Sequence, residues 1–132
     1  MELKDLLSQY FERSNAMNSL WGYYITVVLA LLAYLGNPGR TSPIKHWAAV
    51  ALTVAFGAFA WNNASALLEV VNARNALKDR LLNLSPAAMA PLTHADIVAM
   101  IQPPSHMGTI VRHASSDIAF IFVLWFVVVR RL

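Results

Sequence analysis

The amino-acid sequence predicts an all-α integral membrane protein with three transmembrane helices, an N-terminal amphipathic helix and a short extramembrane helix. The second span is long and extends beyond the bilayer. Three observations predict this. Of the 132 residues, 58% are hydrophobic and 13% charged, against roughly half and a quarter in a soluble domain. Charges are excluded from the apolar runs 19–36 and 47–61 and from 118–129. Outside those runs, apolar residues recur at helical spacing.

In chain order, residues 1–14 place Leu3, Leu6, Leu7, Tyr10 and Phe11 on one side of a helix, with Lys4, Asp5, Ser8, Gln9 and Glu12 between them. Such a helix is expected to lie in the headgroup layer, or to pack on the protein's own extramembrane part. The run 19–36 holds no charge and at 1.5 Å per residue covers about 27 Å, close to a hydrocarbon core of about 30 Å. Trp21, Tyr23, Tyr24 and Tyr34 stand near its ends and read as interfacial anchors. The segment Gly36 to Pro43 is rich in Gly, Pro, Asn and Ser, so the chain reverses there in a short loop carrying Arg40 and Lys45.

The second span and its extension form one helix over 47–83. Nothing from Asn62 to Asn83 breaks it, and Val70, Ala73, Leu77, Leu81 and Leu84 continue it as an apolar stripe outside the bilayer. That stripe needs a cover. A helix over 93–102 supplies one: Thr93 and Asp96 form an N-terminal capping pair, Ile97, Met100 and Ile101 an apolar face, and Pro103–Pro104 a stop. The third span covers 114–130. Its Leu, Ile, Phe and Val residues favour insertion by roughly 3–6 kcal/mol, enough to offset one charge near an edge. Asp117 then sits just inside one interface, and Arg130 and Arg131 snorkel at the other.

Lys4, Arg13, Arg74, Lys78, Arg80 and Arg112 fall on one side of this arrangement, Arg40, Lys45, Arg130 and Arg131 on the other. The count leans toward a cytoplasmic N-terminus and 67–112 region. The expected location is a cell membrane of the bacterial inner-membrane kind. Glu2, Asp5 and Glu12, with no small-x-small site after the first apolar run, argue against a cleaved signal peptide.

The chain has no cysteine, which removes disulfides, thiolate metal sites and a Cys nucleophile. Its net charge of +3 is spread thinly, so nucleic acid is not an expected partner. There is no Ser/His/Asp set, Gly-rich phosphate loop or paired acid at membrane depth, and the sequence predicts neither an enzyme nor a cofactor. His94, His106 and Asp117 are conceivable metal ligands, but their spacing matches no compact motif and no metal is expected. His113 and Asp117, four apart, are neighbours on one helix face and form a candidate pH-sensitive pair. Glu69 is expected to pair with Arg74 or with headgroups.

The most specific feature is a seam on the second helix with alternating steps of three and four: Ala48, Ala51, Ala55, Ala58, Asn62, Ser65, and onward through Glu69 to Asp79. In lipid, helices associate through close approach at small residues and through interhelical polar bonds. The seam is therefore expected to pack a helix, from the same chain or another. The expected function is a structural or accessory subunit of a homo- or hetero-oligomeric membrane assembly, with lipid, a second copy or a larger membrane protein as partner and no small-molecule substrate legible. The alternative is an oligomeric pore or channel lined by Asn62, Asn63 and Glu69.

Overall fold

The computed structural model describes residues 2–36, 46–101 and 105–130. The turn segment with Arg40 and Lys45, the Pro103–Pro104 stop, Arg131 and the Arg130 side chain lie outside the described residues. All regular structure among the described residues is helical, and three helices are long and apolar enough to cross a membrane. These are α1 (Leu3–Gly36), α2 (His46–Leu82) and α5 (His106–Arg130); two short helices, α3 (Pro86–Met89) and α4 (His94–Met100), stand between α2 and α5.

Helix α1 is continuous over 34 residues, about 51 Å. The expected amphipathic helix 1–14 and the span from 19 are one element, because Ser14-Asn15-Ala16-Met17-Asn18 contains neither Gly nor Pro and nothing ends the helix there. Its inward residues keep an unbroken 3.5-residue repeat: Tyr10, Ser14, Met17, Trp21, Tyr24, Val28, Leu31 and Leu35 are all buried or half-buried. Helix α2, 37 residues, answers with the same period: Ala49, Thr53, Phe56, Ala60, Asn63, Leu67, Val70, Arg74, Leu77 and Leu81. The two helices run antiparallel and pack along most of their length. A sustained 3.5-residue repeat makes such a pair supercoil left-handedly.

Helix α5 packs mainly on α2 and begins eight residues before the expected start at 114. Ser105 caps it, its hydroxyl oxygen accepting the Gly108 N–H at 2.9 Å. A Cβ at position 108 would lie 2.8 Å from that oxygen, so the glycine lets the serine close over the first turn.

Two cores result. Where the three long helices meet, Tyr24, Leu35, Ala49, Phe56, Ala60, Phe120, Leu124 and Val128 are buried together. Beyond them Leu77 and Leu81 meet Ile97 and Ile101, and also Leu6, Tyr10 and Met89. The leucine stripe is thus covered from two sides: by α4 and by the first turns of α1. The apolar face of residues 3–10 is used up against the chain itself, which is why this stretch does not stand as a separate surface helix.

Helix α4 is too short to be stable alone. Its start is fixed by Thr93, whose hydroxyl accepts the Asp96 N–H at 3.2 Å. The Asp96 carboxylate in turn accepts the Thr93 N–H and O–H at 2.8 and 2.7 Å. Its hold on α2 is Ile97, fully buried.

This second core makes two testable predictions. Ile97→Ala costs about 2–5 kcal/mol, more than the short helix can lose, so amide exchange over 94–100 rises sharply while that of α2 residues 56–67 stays slow. The Thr93 hydrogen bonds hold the Asp96 carboxyl below its ordinary value of 3.8. A carboxyl depressed by folding stabilises fully above its unfolded pKa and stops doing so as pH falls through the folded value. An NMR titration of the Thr93 amide is therefore expected to show a midpoint below 3.8 and to lose it in Asp96→Asn.

Candidate functional site

The shared period of α1 and α2 puts two polar residues, Tyr24 and Asn63, on faces otherwise lined by apolar side chains. Helix α5 adds His113 and Asp117 at the same level. The four join in one chain of hydrogen bonds. The Tyr24 hydroxyl donates to Asp117 Oδ1 at 2.8 Å, His113 Nδ1 meets Asp117 Oδ2 at 2.9 Å, and Asn63 Nδ2 meets His113 Nε2 at 3.2 Å. Tyr24, Asn63 and His113 are buried; Asp117 is half-buried.

The donor roles follow from the atoms. An amide nitrogen can only donate, so Nε2 of His113 accepts from Asn63. With the amide placed this way, Nδ1 is the nitrogen that donates to Asp117. Aromatic rings enclose it: His113 lies 4.5 Å from the Tyr24 ring and 5.6 Å from that of Trp21, while Tyr24 stacks on Phe59 at 6.3 Å. Tyr24, Asn63 and His113 are shielded from water, so each of them depends on its partner.

Energetically the knot is a register pin more than a large source of stability. Interhelical hydrogen bonds in membrane proteins average about 0.6 kcal/mol and reach about 1.7. Leaving a buried group unpaired costs about 1–3 kcal/mol. A slip of either helix would strand three or four such groups at once, and that penalty exceeds what the bonds contribute.

A further buried polar residue, Arg74, lies nearer the core built around Leu77 and Leu81. Its guanidinium stands 4.7 Å over the Tyr10 ring, with Nη1 3.9 Å from Met17 Sδ. The expected pairing with Glu69 is not made: Glu69 points outward, and the one ion pair among the described residues is His113–Asp117.

The other residues singled out in the sequence are distributed as follows. Ala51, Ala55, Ala58, Asn62 and Ser65 are exposed, and Ala48 is half-buried. The small-residue seam therefore faces away from α1 and α5. Asn62 donates back to the Ala58 carbonyl of its own helix at 2.9 Å, whereas its neighbour Asn63 turns inward. His94 and His106 are exposed, apart from His113, and among the described residues no three potential ligands gather around a metal position. Tyr24 was legible only as an interfacial aromatic. The signal that places it is its position on the 3.5-residue repeat of α1, where a hydroxyl facing inward must find a partner.

Comparison with protein-family models, with curated proteins and with solved structures found no match. The chemistry of the site thus rests on its own geometry: three hydrogen-bonded titratable side chains and an amide, held by three helices.

The knot predicts non-additive energetics. Tyr24→Phe and Asn63→Leu are each expected to cost about 0.5–1.7 kcal/mol, and Asp117→Leu more, because it strands both the Tyr24 hydroxyl and the His113 N–H. In a double-mutant cycle, Tyr24→Phe in the Asp117→Leu background should cost close to nothing. Unfolding by steric trapping or by titration with SDS measures this, and strict additivity would contradict the connected network.

Proposed function

We propose that the protein is a non-enzymatic, three-span membrane subunit that assembles through the outward face of α2. Support for a membrane location comes from the outer surfaces of the long helices. Ile25 and Leu29 on α1, Val54 and Trp61 on α2, and Ile118, Phe122, Phe126 and Val129 on α5 are all exposed. A continuous apolar surface of that extent is not kept in water, and lipid is the solvent that suits it.

One observation carries the assembly reading. The outward faces of α1 and α5 mix bulky residues, such as Ile25, Leu29, Phe122 and Phe126, with small ones at Gly22, Thr26, Ala30 and Ala33 and at Ala114, Ser115, Ser116 and Ala119. On α2, beside Val54 and Trp61, the outward face presents a longer run of small and polar residues, Ala51, Ala55, Gly57, Ala58, Asn62 and Ser65. Packing within the chain does not use these residues, and small side chains are what a second helix needs for close backbone approach. In this reading the seam belongs to a helix of another subunit, with the N-terminus and the 67–112 region on the cytoplasmic side.

A pore lined by Asn62, Asn63 and Glu69 draws less support. Asn63 is committed inward to His113, and Asn62 is turned onto its own backbone, so the three do not form one wet stripe.

The chain has no cysteine, which makes the test direct. Ala55→Cys is expected to give an oxidation-dependent cross-link in native membranes, to a second copy or to a co-purifying membrane protein, while Phe122→Cys on the outer face of α5 gives none. Ala51→Leu with Ala55→Leu is expected to dissociate that assembly in mild detergent without unfolding the subunit. A protein that elutes as a strict monomer with no companion would overturn the reading.

A further inference from the structure

The exposed apolar surface of the long helices has a definite height, nearly the same on all three. On α1 the large exposed apolar side chains lie between Tyr23 and Tyr34, on α2 between Trp47 and Trp61, and on α5 between Ile118 and Val129. These bands are level with one another. Tyr24 lies beside Phe56 and Phe59, and Phe120 meets Phe56 at 4.2 Å, which sets Tyr23 and Ile118 near the level of Trp61. Because α2 runs antiparallel to both neighbours, Tyr34, Trp47 and Val129 share the opposite rim.

Both rims are marked by chemistry as well as by position. Tyr23 and Trp61 at one, and Tyr34 and Trp47 at the other, are each at least half exposed, and amphipathic rings of this kind settle at the headgroup level. Past the Tyr23/Trp61 rim the exposed side chains turn polar: Asn18 and Ser19 on α1, Asn62 and Ser65 on α2, Ser115 and Ser116 on α5. On these helices large apolar side chains are exposed again only past a charge, at Phe11 beyond Arg13 and at Val111, Ile110 and Met107 beyond Arg112. The charge-free run 19–36 is thus longer than the apolar band it carries, since its first residues present Ser19 and Gly22 outward.

At 1.5 Å per residue the bands are about 17 Å tall on α1 and α5 and about 21 Å on α2, against about 30 Å of hydrocarbon in an ordinary bilayer. Tilting lowers the height further, so it does not close the gap. A band shorter than the hydrocarbon is accommodated by a thinner bilayer around the protein. We propose that the outer surface of this bundle selects a thin bilayer, its preferred partner being short-chain lipid whose headgroups meet the two aromatic rims. The inference rests on the membrane location read above and adds the thickness of the membrane that fits.

The test reconstitutes the full chain in mixtures of dimyristoleoyl- and dierucoyl-phosphatidylcholine, one of the two brominated along its chains, and reads quenching of the chain's four tryptophans. Association with the shorter lipid is expected to be stronger by about twofold or more. Ser19→Leu combined with Ser115→Leu, both at exposed positions, extends the bands of α1 and α5 by about 5 Å and is expected to move the preference toward the longer lipid. Equal association with both lipids, stronger association with the longer one, or an unchanged preference in the folded double variant would each overturn the thin-bilayer proposal and leave the membrane location standing. Absence of quenching by either brominated lipid would overturn the membrane location itself, and this inference with it.

Discussion

The antiparallel pairing of α1 with α2 is the constraint on which the remaining structure depends. Both helices carry a 3.5-residue repeat of inward side chains for most of their length, and that repeat keeps one face of each turned to the other. Its register sets every later contact. It brings Tyr10 under Arg74, Tyr24 beside Phe56 and Phe59, and the N-terminal Leu6 into the cluster around Leu81. Helix α5 then docks mainly on α2, and α4 closes the far end.

Within that frame, polar residues act by excluding alternatives. Between helices as apolar as these, packing alone discriminates poorly among registers, because a leucine shifted by one turn still meets an apolar neighbour. The knot of Tyr24, Asn63, His113 and Asp117 discriminates well, since each group finds its hydrogen-bond partners within the knot in this register. Arg74 over Tyr10 plays a related part outside the apolar bundle. A guanidinium stacks on an aromatic face with less loss of hydration than an ammonium would suffer, which fits Arg rather than Lys at a buried position without a carboxylate.

Much of the architecture was legible because it is written in local chemistry. The Thr93/Asp96 cap, the leucine stripe that needed a cover, and the juxtaposition of His113 with Asp117 each depend on residues three or four apart. The phase of α2 was not legible. The seam through Ala51, Ala55 and Ala58 and the buried seam through Ala49, Phe56 and Ala60 have the same 3.5-residue period, and they differ only by a rotation about the helix axis. Choosing between them needs the partner, and the bulky faces of α1 and α5 match Phe56 and Leu67 rather than a row of alanines. Asn62 and Asn63 divide the same way: adjacent in sequence, about 100° apart around the helix, one turned outward and one bonded to His113. The unbroken α1 was hidden because its composition changes from amphipathic to apolar at Ser14–Asn18, where the backbone meets no breaker.

The phase of α2 and the proposed use of its outer face can be read together from one experiment. A nitroxide carried in turn by single cysteines along residues 47–69, in lipid bilayers, reports collision with oxygen at each position. The account predicts low accessibility at Ala49, Phe56, Ala60, Asn63 and Leu67, reduced accessibility at Ala51, Ala55 and Ala58 where a partner helix lies, and high accessibility at Val54 and Trp61. If Ala51, Ala55 and Ala58 prove as accessible to lipid-dissolved oxygen as Phe122 on α5, the outer face of α2 meets lipid alone and the assembly account is contradicted.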